Sequence, residues 1–117
     1  MDVTKLIRPE DVQRLVMNRQ DQAPVQGTAK ERDFEPCVKL HIPGTDMLWL
    51  LTELDEDYIA FGLCQIHAAE LGSVWLPELI DIDVQGLKVV QDTRFQPTTT
   101  LRGYANKARA NGGMLIL

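Results

Sequence analysis

The sequence predicts an α+β fold: an antiparallel meander of about four or five strands, with one helix before it and one after it packed on the sheet. Three observations carry this. Met47 to Cys64, MLWLLTELDEDYIAFGLC, reads as two apolar strands joined by an acidic turn. Residues 37–42, CVKLHI, alternate with the period of a strand. Residues 99–111 place Leu101, Tyr104, Ala105 and Ala108 at the i, i+3, i+4, i+7 spacing of one helix face.

The elements follow in order. Residues 1–7 are expected to lead in as an extended arm. Residues 8–19 form the first helix. Pro9 suits its first position, and Glu10 and Asp11 complement the positive end of its dipole. Val12, Leu15 and Val16 make a narrow apolar stripe. Residues 20–35 are polar, with Pro24 and Gly27 breaking periodicity, and read as a surface loop. The competing reading is a binding loop that orders on a partner.

Residues 36–97 make the sheet region. In CVKLHI, Val38, Leu40 and Ile42 face one way, and Cys37, Lys39 and His41 the other, as in a half-exposed strand. From Met47 to Leu51 both faces are apolar, so this strand belongs at the centre of the sheet. Ile59, Phe61 and Leu63 alternate with Tyr58, Ala60 and Gly62 in the next strand. Trp49 and Phe61 are expected in the core, with Gly62 leaving room for Trp49. IHAAELG reads as a connection and LGSVWL as a short fourth strand. A helical turn near 77–82 starts at Pro77 and points Leu79 and Ile80 inward. Gln85 and Gly86 turn the chain into LKVVQDTRF, a fifth strand closed by Phe95 and Pro97.

Thr98 or Thr99 is placed to cap the helix at 99–111, and Gly112 and Gly113 stop it. The apolar tail at 114–117, MLIL, packs back on the core or adds a strand to a sheet edge. Addition to another copy would give a homodimer. The whole chain, 1–117, reads as a single domain.

The formal net charge of -5 is unevenly spread. Residues 36–97 hold three basic side chains, Lys39, Lys88 and Arg94, against ten acidic ones. Residues 98–117 hold Arg102, Lys107 and Arg109 and no acid. An acidic middle disfavours broad phosphate-backbone binding but leaves a local basic face on the last helix. Two cysteines are too few for a disulfide framework, so both thiols are expected reduced. With no apolar leader and no run of the roughly 18–20 apolar residues a bilayer span needs, the expected location is cytoplasmic, with no membrane partner.

In their order and spacing, VKLHIPG (38–44), WLLTELDED (49–57), AFGLC (60–64), ELGSVWLPEL (70–79), GLKVVQDTRFQP (86–97) and TLRGYANKAR (100–109) carry a resemblance. Over about residues 36–110 the chain resembles a small bacterial family catalogued only as a domain of unknown function, met mostly on plasmids, integrative elements and phages. The first helix fits the family pattern loosely and the 20–35 loop not at all. Ser73 stands where the family has an aromatic residue. Residues 89–92, VVQD, replace a VERD that pairs acid with base, and IDIDVQ replaces a basic segment. The resemblance implies a mobile-element accessory protein and supplies no catalytic residue.

Candidate chemistry is sparse. Cys37, His41, Cys64 and His67 have the residue types of a zinc site. Along a strand, however, Cys37 and His41 lie roughly 13 Å apart, four rises of about 3.3 Å, too far for one ion. A mixed site such as Cys64 with His41 is the metal reading left, and no metal or cofactor is expected. Cys64 with His41 is also the one conceivable nucleophile–base pair. Glu53 with Asp55 or Asp57 forms a carboxylate pair at a turn, where solvation should keep the pKa values from being strongly raised. Arg102, Lys107 and Arg109 could line one side of the last helix and contact nucleic acid. Glu53, Asp55, Glu56 and Asp57, with Glu70, Glu78, Asp81 and Asp83, form an acidic surface suited to a basic protein.

The function expected on these grounds is non-enzymatic: binding to a protein partner through that acidic surface, with antagonism of a host defence system implied only by the resemblance. The alternative is a nucleic-acid-binding or regulatory module using the basic helix. An uncharacterised hydrolase is third.

Overall fold

The computed structural model describes residues 2–117. A 3-10 turn at Val3–Lys5 precedes α1 (Pro9–Gln22). Four strands follow: β1 (Val38–His41), β2 (Leu48–Leu54), β3 (Ile59–Gln65) and β4 (Ala69–Trp75). Then come α2 (Leu76–Ile80), the two-residue strands β5 (Asp83–Val84), β6 (Leu87–Lys88) and β7 (Val90–Gln91), and finally α3 (Leu101–Ala110). The fold is the expected α+β: five antiparallel strands in the order β4-β3-β2-β1-β7, between an N-terminal and a C-terminal helix.

Apolarity on both faces of β2 has the predicted consequence. The strand is central, and all seven of its residues are buried. Trp49 and Leu51 join Val38, Leu40 and Leu15 of α1 on one face. Leu48 and Leu50 join Leu63 and the α3 residues Leu101, Tyr104 and Ala108 on the other. Each such side chain taken from water contributes about 1.5–3 kcal/mol, so one short strand anchors both layers.

Several expectations are corrected. The lead-in is no extended arm from Asp2 onward (Met1 lies outside the described residues). Asp2 caps the 3-10 turn, accepting from the Thr4 amide, and Val3, Leu6 and Ile7 are buried under the α1 side of the sheet. Helix α1 runs on to Gln22. This residue is buried and ties down the following loop by donating to the Arg32 carbonyl at 2.7 Å and accepting from the Arg32 amide at 2.9 Å.

Strand β1 is not half-exposed: Val38, Lys39 and Leu40 are all buried, β7 occupies its outer edge, and the Lys39 ammonium lies 3.4 Å from Asp92, the residue after β7. Cys37 precedes the regular strand and packs with the α1-side core rather than opposite it. β4 begins at Ala69, inside the segment read as a connection. The expected fifth strand is split. Gln85 and Gly86, with φ of 54° and 85°, close a separate β5–β6 hairpin. Val89 then turns into the core, and only Val90 and Gln91 join the main sheet.

Thr100, not Thr98 or Thr99, caps α3, its hydroxyl accepting from the Gly103 amide. The tail packs back instead of forming a strand. Gln65, fully buried, accepts from the Leu115 amide at 2.7 Å and donates to the Leu115 carbonyl at 3.0 Å, in the manner of a strand partner.

Gly62 makes room for backbone, not for Trp49. The register shifts between Leu51 and Glu53, leaving Thr52 as a bulge, and an added Cβ at Gly62 would overlap the Leu50 carbonyl. Trp49 instead stands opposite Leu40 and Cys64.

Candidate functional site

The bulge decides where Glu53 points. Without it, strict alternation would put Leu51 and Glu53 on one face. With Thr52 as the extra residue, Leu51 and Leu54 share the α1-side core, and Glu53 pairs with Phe61 on the opposite face. There it is 4% exposed and 3.0 Å from the Arg19 guanidinium, which reaches it from α1. Burial pushes the Glu53 carboxyl above its ordinary range, and Arg19 pulls it back only in part. Glu53 is therefore an interior group, not part of the solvated turn in which its sequence position places it.

Glu53 lines a cleft of about 200 Å³. Arg19 and Gln22 of α1, the loop residues Glu31 to Phe34, and Leu101 and Arg102 of α3 form one side. Ile59, Phe61, Leu71 and Ser73 form the other. The loop at 23–36 makes this wall because it is tied at both ends. Gln22 holds Arg32, the Phe34 carbonyl accepts from the Leu101 amide at 2.8 Å, and Arg102 lies 3.5 Å from Glu31.

Phe61 is not core. Register aligns Ile59 with Trp75, and Phe61 with Ser73, on the face that α3 leaves uncovered, and all four are exposed. The free edge strand β4 borders this face, and its Trp75 indole donates to the Asp57 carbonyl at 3.2 Å.

The acidic turn is built around Asp55. One of its carboxylate oxygens accepts from the amides of Asp57 at 2.8 Å and Ile59 at 3.0 Å, while Tyr58 takes φ 64°. Asp55 is thus a structural residue of the turn. Glu56 and Asp57 are exposed, and among the described residues neither has an ion-pair partner. Glu70, Glu78, Asp81 and Asp83 are exposed as well.

The three basic residues of α3 do not line one side. At about 100° per residue, Lys107 stands about 140° around the axis from Arg102. Arg102 is engaged by Glu31, and the Lys107 ammonium lies 5.6 Å from the Tyr104 ring centroid. Cys64 and His41 are separated by the sheet itself. Cys64 is in register with Trp49 on the α1 side, and His41 with Leu48 on the α3 side. Burial raises both thiols, Cys37 to about 11 with the Asp11 carboxylate adding to the effect. Among the described residues no group of three or more His, Cys, Asp or Glu side chains is placed to hold a metal ion. No described helix is long and apolar enough to cross a membrane.

Sequence reasoning missed the Arg19–Glu53 pair, which spans 34 positions. One signal was available: Leu51 and Leu54, three apart in a strand and both apolar, break period two and mark a bulge.

A family model described as a protein of unknown function, DUF2958, matches residues 6–115, taking in α1 and the loop that the motifs alone did not reach. No curated protein matches, and no solved structure matches.

Proposed function

The chain belongs to the DUF2958 family, and we propose that it acts by binding another protein through the acidic turn and the apolar sheet face beside it. The observation that carries this reading is the alignment of Ile59, Phe61, Leu71 and Trp75, all exposed, at the free β4 edge. Glu56 and Asp57 stand at the end of the same face. Unpaired carboxylates next to exposed aromatic side chains combine charge steering with apolar anchors, the two components of a specific interface. An accessory role on a mobile element, with a host defence component as the partner, is compatible with such a binder and rests on the family resemblance alone.

The test is quantitative capture from host lysate with tagged wild type and with Glu56→Lys/Asp57→Lys. Asp55 is left intact because it builds the turn. A specific host protein captured by wild type, and lost with the double variant at unchanged melting temperature, supports the reading. Capture that survives the charge reversal overturns it. Salt-sensitive binding to DNA or RNA that depends on Arg102 and Arg109 favours the nucleic-acid alternative instead. Ile116 and Leu117 are exposed while Leu115 is buried in its own chain. Concentration-dependent dimerisation abolished by removing residues 116–117 would therefore assign the tail, not the turn, as the interface.

A further inference from the structure

We infer that the cleft beside the acidic turn receives one basic side chain, lysine or arginine, of the bound partner, with Glu53 as its acceptor. This deepens the protein-binding reading and rests on it for the source of the side chain.

The first argument is the state of Glu53. Its Oε1 atom takes the Arg19 hydrogen bond at 3.0 Å. No hydrogen bond reaches Oε2 among the described residues, yet no fully buried side-chain oxygen lacks a partner. Oε2 is therefore open to the cleft that Glu53 lines. A carboxylate oxygen that faces a cleft and takes no donor from its own chain can accept an N–H group from outside it.

Charge decides which N–H group. Glu31, Asp33, Glu53 and Asp55 line the cleft against Arg19, Arg32 and Arg102, and all three arginines are engaged. Arg19 holds Glu53 and Gln26, and Arg102 holds Glu31. Arg32 lies 3.7 Å from Asp21 and stacks over Phe34 at 4.6 Å. An anion would have to break one of these pairs, whereas a cation meets a spare carboxylate oxygen and the unpaired Glu56 and Asp57 nearby.

Size and lining agree. Small-molecule sites usually measure about 300–1,000 Å³. The volume here, about 200 Å³, suits one long side chain. Phe61, Leu71 and Ile59 offer an apolar wall for its methylene stem, and the Phe61 ring a face for its cationic head.

The test titrates the full chain, labelled for amide NMR, with n-butylguanidinium and n-butylammonium, and with butyrate and butanol as controls. The expected result is saturable shifts at Glu53, Phe61 and Leu71 with the two cations only. Glu53→Gln keeps the shape and an acceptor for Arg19, and should weaken the cations about tenfold or more, the loss expected for a hydrogen bond to a charged group. Leu71→Lys, at an exposed position, brings an ammonium to the cleft wall and should weaken them as well. Absence of cation shifts, cation binding unchanged in both variants, or saturable butyrate binding at these residues each overturns the inference. No partner is present in this titration, so its failure removes the cationic occupant without touching the capture result at Glu56 and Asp57. Failed capture with intact cation binding removes the partner reading instead.

Discussion

Replacing Gly62 with alanine should be one of the most damaging single-methyl changes available to this chain. Gly62 lies in β3 opposite Leu51, where the Thr52 bulge draws the two backbones together. An added Cβ would overlap the Leu50 carbonyl oxygen and sit 2.8 Å from its carbon and 2.9 Å from Leu51 Cα. All three atoms are main chain in the central strand, so no side chain can rotate away. Relief requires β2 and β3 to part, yet β2 contributes to both cores. Overpacking of a tight core costs about 1–3 kcal/mol when side chains can adjust. With backbone on both sides, about 3 kcal/mol or more is expected. Against a total stability of about 6–18 kcal/mol for a chain of this length, that is a substantial fraction. Urea denaturation of wild type and Gly62→Ala gives the difference directly. Gly72→Ala is the control, in the facing strand with nothing within 4 Å of an added Cβ, and should cost less than about 1 kcal/mol. A Gly62→Ala loss no larger than the Gly72→Ala loss would falsify the account of a bulge-tightened strand pair.

Three further outcomes follow from buried polar groups. Gln65→Met removes two bonds to Leu115 and one to the Asp46 carbonyl, and should cost about 2–4 kcal/mol while raising amide exchange at Leu115; unchanged exchange would show that the tail is held by other means. Because burial raises the Glu53 carboxyl, with Arg19 opposing and Glu31 reinforcing, its contribution is fully present below the ordinary glutamate range and is lost as pH rises through the raised value; wild type should therefore lose stability relative to Glu53→Gln across that rise, and a relative gain would reverse the assignment. Cys37, pushed from 9.0 up to about 11, carries on the order of a hundredth of an ordinary thiolate population at pH 8, partly offset by the greater nucleophilicity of a higher-pKa thiolate, so alkylation of native protein should be about tenfold or more slower at Cys37 than in a denatured sample.

Much of the sheet was legible because its burial pattern is local. Met47 to Leu51 is apolar on both faces, and the sequence needs no distant partner to announce a central strand. The last helix was legible for the same reason, through Leu101, Tyr104 and Ala108. The site was not, because it is made by pairs far apart in the chain. Arg19 meets Glu53, Gln22 meets Arg32, Arg102 meets Glu31, and nothing in any one segment specifies these contacts. Proximity in sequence groups Glu53 with Asp55 and Asp57, whereas one bulge residue turns it into the interior. Gln22 and Gln65, polar in sequence, are buried, and each stands in for a backbone partner. A glutamine replacing one residue in an otherwise apolar alternation, as Gln65 does after Leu63, is the visible trace of such a role.

The exposed apolar face has a geometric cause. Helix α3 has ten residues, about 15 Å of helix at 1.5 Å each, while β3 and β4 have seven residues each, about 23 Å of strand. One helix of that length cannot shield the whole length of the strands. Cover at Leu63 leaves Ile59, Phe61 and Trp75 bare at the other end, where the acidic turn stands. The loop at 23–36 comes alongside that end without filling it, and the remainder is the cleft at Glu53. The adjoining edge is also poorly defended. Edge strands are usually blunted by short length, lysine, proline or a bulge. β4 has seven residues, Glu70 as its one charge, and continuous pairing to β3. The tail reaches only its start, through the Ala69 amide and the Gly113 carbonyl at 2.8 Å. Exposed apolar side chains also stand elsewhere, at Met17, Ile66, Val84, Leu87, Val90, Ile116 and Leu117, but at this end an uncovered sheet face, an open edge, unpaired carboxylates and the cleft adjoin one another. The interface proposed above would cover all four features at once, which is why the charge reversal at Glu56 and Asp57 tests it at its edge and the cation titration at its centre.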